Sequence, residues 1–289
     1  MRIPRLKLSL IVALVVAGLT SAVAIGAAAG TSPIEAAAKK SSTAASVKFD
    51  FALSVSGGSL TSGKITLGGT GAVDSHHKTA DFKLDTSSLA PLLSTVTNGV
   101  QVPKTIELIS TGTAVYLNFP ALAKQLKAPG KSWVKFDVSK LPKSATGGLN
   151  PTAAAGVTPA QALAVLRGAL SAHKVGSDAH GTHYHGAFNL SALVNLMPKS
   201  QRASAKASLT KSGLTKLPFD AWVGKHGFLS RVAFSISAKG QAGQPATKVA
   251  LAINLHDYNS RVHITAPPAN QTVDGSSLFN SLGSFGGGK

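Results

Sequence analysis

The chain has nine histidines and no cysteine, so any metal or acid–base chemistry must be built from imidazoles and carboxylates. The best-spaced set is His180, His183 and His185. On a strand, His183 and His185 project to the same side, near enough to share an ion. Asp178 is the one acid nearby, which makes a sparse metal site; the plainer alternative is a solvent-facing strand beside a turn. His76 and His77 are adjacent and would point to opposite faces. Residues 58–64, GSLTSGK, nearly spell a phosphate loop. Ile65, however, stands where a Ser or Thr would hold magnesium, and the context is strand to strand rather than strand to helix. No G-x-S-x-G elbow occurs. Asp137, Asp220 and Asp257 each fall within or at the end of an expected strand, and nothing in their spacing brings two carboxylates across a substrate. The absence of cysteine removes disulfides, zinc–thiolate sites and thiolate nucleophiles. A non-enzymatic protein without a cofactor is expected.

The elements that would position these residues are mostly strands. In the stretch Thr113 to Val138, Val115, Leu117 and Phe119 alternate with Ala114, Tyr116 and Asn118, the period of two of a strand. Pro120 ends it, Leu122 and Leu126 share one face of a short helix, and Pro129 and Gly130 stop that helix. A second strand follows, with Val134, Phe136 and Val138 opposite Trp133, Lys135 and Asp137. The same alternation marks Val47 to Val55, Lys64 to Val73, His76 to Leu84, Thr105 to Ser110, Thr182 to Phe188, Leu217 to Val223, Phe228 to Ala238 and Thr247 to His256. Arg261 to Thr265 is expected to add an edge before Pro267 and Pro268 end the sheet. Helices or ordered cover are expected over Ser87 to Val102, over Pro159 to Leu170 with Thr158 as N-cap, over Leu190 to Met197, and over a basic stretch from Pro198 to Gly213. The segment Ser139 to Val157, with three Gly and two Pro, reads as a loop.

Composition sets the outer limits. There are 29 Lys and Arg against 11 Asp and Glu, a formal net charge of +18, yet charged residues make up only 14% of the chain. The asymmetry is a shortage of acids. The cations are scattered singly, at Lys48, Lys64, Lys78, Lys83 and Lys104 among others, with no Arg-rich run or recognition helix, which argues against nucleic acid. An anionic headgroup or cell-wall polymer fits such a surface better, beside the plain alternative of a basic face that serves solubility.

Residues 1–29 read as an export leader or an N-terminal anchor. Arg2, Arg5 and Lys7 precede an apolar run from Leu8 to Gly18, and Ala27 to Ala29 offer a cleavage site; cutting there lowers the formal charge from +18 to +15. Apolar character continues through Ser21 to Gly30, long enough to stay in a membrane if uncut. Residues 30–46 are expected to be a flexible tether, 47–273 the folded domain, and 274–289 a Gly/Ser-rich tail.

The phrases VYLNFP, GKSWVKFDV, TPAQALAVLRGA, KVG with GTHYHGAFNL, and LPFDAWVGKHGFLSRVAFSI resemble the LppX/LprG family of actinobacterial envelope lipoproteins, which have the LolA-like fold. The resemblance covers roughly Lys48 to Pro268. It implies an α+β fold: a strongly curved antiparallel sheet, a half-barrel, with a few helices covering the concave face and enclosing an apolar cavity for acyl chains. The chain departs from the family at the lipobox, where Leu19 follows Val15-Val16-Ala17-Gly18 in place of the acylated Cys.

Together these readings predict an exported, non-enzymatic lipid-binding or lipid-carrier protein of the cell envelope, monomeric, free after cleavage or held by its leader. Its ligand would be a lipid or glycolipid with acyl chains, and its further partners an anionic membrane surface or an envelope transporter. The expected pocket lining is Phe49, Phe51, Val115, Leu117, Leu163, Leu166, Leu193, Phe234 and Leu251. Aromatics are only 6% of the chain, and a curved sheet furnished with small side chains is liable to leave unfilled space. Two alternatives stand beside this: a structural or adhesive envelope domain with a filled core that binds anionic polymer, and metal binding through His180, His183 and His185.

Overall fold

The computed structural model describes residues 33–57, 64–89, 103–137, 171–191, 194, 199–212, 215–238 and 246–276. The leader expected over residues 1–29, the helix expected over Pro159 to Leu170, most of Leu190 to Met197 and nearly all of the expected C-terminal tail lie outside the described residues.

Within them the chain runs α1 (Pro33–Ser42), β1 (Ser46–Ser56), β2 (Lys64–Asp74), β3 (Thr79–Asp85), β4 (Thr105–Ser110), β5 (Ala114–Asn118), α2 (Pro120–Gln125), β6 (Trp133–Asp137), β7 (Ser171–Asp178), β8 (Gly181–Asn189), α3 (Lys199–Ser212), β9 (Lys216–Val223), β10 (Leu229–Ala238), β11 (Thr247–His256) and β12 (Thr272–Asp274). The strands form a single curved, unclosed sheet of 12, in the order β12-β6-β5-β4-β3-β2-β1-β11-β10-β9-β8-β7. It is a meander in two arms. β1 and β11 pair at the centre, Phe49 opposite Leu255 and Leu53 opposite Leu251, and join the first arm, β2 to β6, to the second, β7 to β10.

Because side chains alternate along each strand and the register shifts only at Leu229/Arg231 and Lys174/Gly176, the sheet has one apolar and one polar face. Phe49, Phe51 and Leu53 share a face with Leu67 of β2, Phe82 and Leu84 of β3, Ile106 and Leu108 of β4, Val115 and Leu117 of β5, and Val134 and Phe136 of β6. On the other arm the same face carries Leu251 and Ile253, Val232 and Phe234, Phe219 and Ala221, and Tyr184 and Phe188. The opposite face carries Lys48, Asp50, Asp81, Lys83, Glu107, Arg231, Asp220, Trp222, His183 and His185.

The stretch expected as a tether contains a helix. Glu35 sits in the first turn of α1 and Lys39 and Lys40 in the last, each at the end of the helix dipole that favours its charge. Ile34, Ala37, Ala38 and Ser41 fall at i, i+3, i+4 and i+7, and each is at most 2% exposed. This stripe packs against β9 and β10 and enters the same core as Phe49, Phe219, Val232, Leu251 and Ile253. The buried Ser41 hydroxyl donates to the Ala37 carbonyl and accepts the Leu229 amide at 2.9 Å. Lys40 donates to the His226 carbonyl at 2.6 Å and lies over the Phe228 ring, which stacks on Tyr258. Burial pushes the Tyr258 hydroxyl up to about 12, and that hydroxyl donates to the Leu229 carbonyl. The physical reason for the correction is tertiary: the stripe is too short to fold alone and is stable because a sheet face receives it.

Three smaller corrections concern the sheet. Arg261 to Thr265 forms no strand; β12 instead follows the two prolines and pairs in parallel with β6, Val273 opposite Val134, so the sheet is not purely antiparallel. The third strand starts at Thr79, because residues 75–78 make the turn, with Asp74 accepting from the His77 amide. β7 was not expected as a full strand; its SAHKVGSD sequence is mostly polar and lacks a sustained apolar alternation.

Candidate functional site: the apolar face of the open sheet

The apolar face is unevenly closed. Under α1, the core residues Ile34, Phe49, Phe219, Leu229, Ile253 and Leu255 are all sealed. Away from α1, Phe51, Leu53 and Val55 of β1, Ile65 and Leu67 of β2, Leu84 of β3, Ile106 and Leu108 of β4, Leu117 of β5 and Phe136 of β6 are half-buried. They form one continuous surface, because cross-strand registers join them: Leu53 to Leu67, Leu84 to Ile106, Leu108 to Leu117.

Two glycines shape its floor. Gly71 is opposite Phe49 and Gly69 opposite Phe51. A Cβ at Gly71 would stand 2.3 Å from the Phe49 ring, and one at Gly69 would stand 2.6 Å from the Phe51 ring. Both rings therefore lie across β2 rather than standing up from the sheet. Phe82 meets Phe49 edge to face, with ring centroids 5.4 Å apart. Aromatic carbon laid flat over a Gly-containing strand gives a low, wide apolar floor; bulky β2 residues would instead fill the space above it.

Six of the nine residues expected to line a pocket lie on this face. Phe49 and Leu251 belong to the sealed core, and Phe51 and Phe234 are half-buried against it. On β5, Val115 is buried and Leu117 half-buried. Leu163, Leu166 and Leu193 lie outside the described residues, while Leu190 and Val194 beside the last of these are buried. Sequence reasoning missed Gly69 and Gly71, although two glycines two residues apart, in a strand following a Phe-x-Phe strand, are the available signal.

The polar face holds the histidines. Nε2 of His183 and Nδ1 of His185 lie 2.8 and 3.0 Å from the same oxygen, Oδ1 of Asp220. A carboxylate only accepts, so each ring carries its proton on the nitrogen facing Asp220 and offers no lone pair there to a metal. His183 stacks on Trp222 at 4.2 Å, and Trp222 donates to Asp178 at 2.7 Å. His180 faces the Trp222 ring edge to face, apart from the Asp220 pair. Among the described residues no group of three or more His, Cys, Asp or Glu is arranged to hold a metal ion. Partial burial raises the Asp220 carboxyl, but the hydrogen bonds from His185 and His183 outweigh it and leave the group below the usual carboxylate range. Asp81 goes the other way: burial raises it, Lys83 only partly offsets this, and its Oδ1 is buried without a hydrogen bond. Near Asp81 a depression of about 200 Å³ opens between Lys48, Asp50, Thr70, Lys83 and His256, a charged lining unsuited to hydrocarbon.

No family model matches the chain, and no curated protein matches it. Among solved structures it is similar to a LolA superfamily protein from Nitrosomonas europaea, at 6% identity over 87% of this chain and 94% of that one, with a TM-score of 0.28. Among the described residues no helix is long and apolar enough to cross a membrane.

Proposed function

We propose that the protein is an exported, non-enzymatic lipid binder or carrier of the cell envelope, with a LolA-like half-barrel of the LppX/LprG kind holding acyl chains against the apolar face. The observation that supports this best is the continuous half-buried surface from Phe51 and Leu53 through Leu67, Leu84 and Ile106 to Leu117. Each methylene withdrawn from water onto such a surface contributes about 0.8 kcal/mol, so one acyl chain of ordinary length supplies micromolar binding or better. The ligand class is acyl lipid because the described lining supplies mainly hydrocarbon and aromatic carbon. Export rests on the charged start, apolar run and small-residue site of residues 1–29.

Native mass spectrometry and lipid extraction of protein purified from its own envelope test the reading. A bound species of defined mass carrying acyl chains is expected. Protein that arrives empty, and that then fails to take up a fluorescent fatty acid, would overturn it.

A further inference from the structure

The two ends of the strands differ in charge. At one end, where β1 finishes and β2 begins, lie Lys64, Lys104, Lys124, Lys127, Lys131, Lys216 and Lys248, against the carboxylates Asp85 and Glu107, the latter opposite Asn118 and paired with Lys83. The register puts them at a common end: Ser56 pairs with both Lys64 and Lys248, Asn189 pairs with Lys216, and α2 with its flanking turns bridges β5 to β6 above Asn118 and Trp133. All but Lys131 are exposed, and Lys131 donates to the Thr272 carbonyl. At the opposite end, where α1 leads into β1, four carboxylates, Asp74, Asp137, Asp178 and Asp257, interleave with Lys40, Lys78, Lys225 and Arg261. That end is close to neutral, and α1 covers its apolar face over β9 and β10. At the basic end the apolar face is half-buried at Val55 and Ile65, where β1 meets β2, and at Ile106 and Leu217, while Val249, Phe188 and Val134 on the same face are buried.

We infer that the basic end is a docking surface for a bilayer containing anionic lipid, seated with the half-open apolar face toward the membrane. Cations ringing exposed hydrocarbon match the two layers of a bilayer surface, anionic headgroups over acyl chains; a soluble polyanion needs only the first. Polyanion binding would gain nothing from apolar side chains at the same rim. The inference rests on the lipid-carrier reading for its purpose, and gives it a route: acyl chains pass between bilayer and protein at this end, not through the end closed by α1. Each lysine near an anionic surface is worth roughly fivefold in partitioning, falling with ionic strength.

The test uses the full chain and two fourfold variants of equal net charge. One changes Lys64, Lys104, Lys216 and Lys248 to Glu; the other changes Lys39, Lys78, Lys225 and Arg261 to Glu, all outside the core. Each is sedimented with vesicles of phosphatidylcholine alone and with about one third phosphatidylglycerol, and the readout is the ratio of the two partition coefficients. The apolar contribution of the leader appears on both vesicle types and cancels, and that of Arg2, Arg5 and Lys7 is common to the wild type and both variants, so the comparison among the three reads the rim. The expected result is a wild-type ratio well above one, a drop of roughly 100-fold in the first variant, and a drop of no more than a few-fold in the second. Equal loss in both variants would show a mere net-charge effect and overturn the inference. So would a wild-type ratio near one, or rim-dependent binding to soluble polyphosphate with none to vesicles. Replacing the same four rim lysines with Gln, checked by a thermal melt, provides a milder variant should the Glu set fold poorly; it must still lose tens-fold. Lipid load on the same samples separates the readings: wild type that docks but carries no lipid sinks the carrier while the docking surface stands, and the reverse sinks only the docking surface.

Discussion

The apolar face beside α1 and the apolar face from Phe51 across β2 and β3 to Ile106 are made of the same residue types, yet the first is closed and the second is only half-buried. On β1 alone, Val47 and Phe49 are sealed while Phe51, Leu53 and Val55 are half-buried. What separates them is a ten-residue helix from outside the sheet and a tyrosine latch behind it. The lesson is that β-strand amphipathicity states which face must be covered, and a separate element decides how far the cover extends.

The largest expected effects contrast the two regions directly. Ile253→Ala or Leu229→Ala, each at a side chain only 2% exposed, should cost about 2–5 kcal/mol in chemical denaturation, because the close-packed surroundings relax only partly around the cavity. Leu67→Ala and Leu117→Ala, at half-buried positions, should cost no more than about 1.5 kcal/mol and should instead lower the amount of bound lipid. Equal destabilisation at all four positions would mean the face is closed throughout.

Gly71→Val sharpens the contrast at the boundary. Its Cβ would stand 2.3 Å from the Phe49 ring and 2.9 Å from the Asp81 carbonyl oxygen, so the ring must lift off β2 and intrude on the space above the floor. A loss of about 1–3 kcal/mol is expected, together with reduced uptake of a fluorescent fatty acid. Unchanged uptake would show that the floor over β2 is not part of the binding surface.

The smallest effect separates the apolar face from the polar one. Asp220 is held below its ordinary value by His185 and His183 despite partial burial. A carboxyl depressed in the folded state contributes stability that is present above its unfolded value near pH 4 and is lost as pH falls through the folded value. Asp220 is 37% exposed, so solvent screening limits the effect to about 0.5–1 kcal/mol. Denaturation midpoints of wild type and Asp220→Asn should therefore differ slightly from pH 5 to 7 and converge toward pH 2, with lipid load unaffected. A change in lipid load would tie the histidine cluster to binding.

Much of the sheet was legible in advance. Val47 to Val55 and Thr247 to His256 alternate so regularly that their span and facing could be read off, and Thr105 to Ser110 is a strand over the residues its alternation marks. β7 was not legible, since its SAHKVGSD sequence takes strand form by pairing with β8 rather than by its own pattern. Of the candidate site, Phe51, Leu117 and Phe234 could be named from alternation. Which of the apolar residues would be sealed could not, and Phe49 and Leu251 fall in the closed core.

By itself, the sequence determined the two faces of the sheet, the charge excess and the exclusion of thiol chemistry, because each of these follows from residue type and local spacing. Only the tertiary structure decided that residues 33–42 close one end of the apolar face, that two phenylalanine rings lie down over two glycines, that the last strand joins in parallel, and that seven lysines gather at one end. Those outcomes depend on contacts between segments far apart in the chain, and alternation along a strand carries no information about what lands on it.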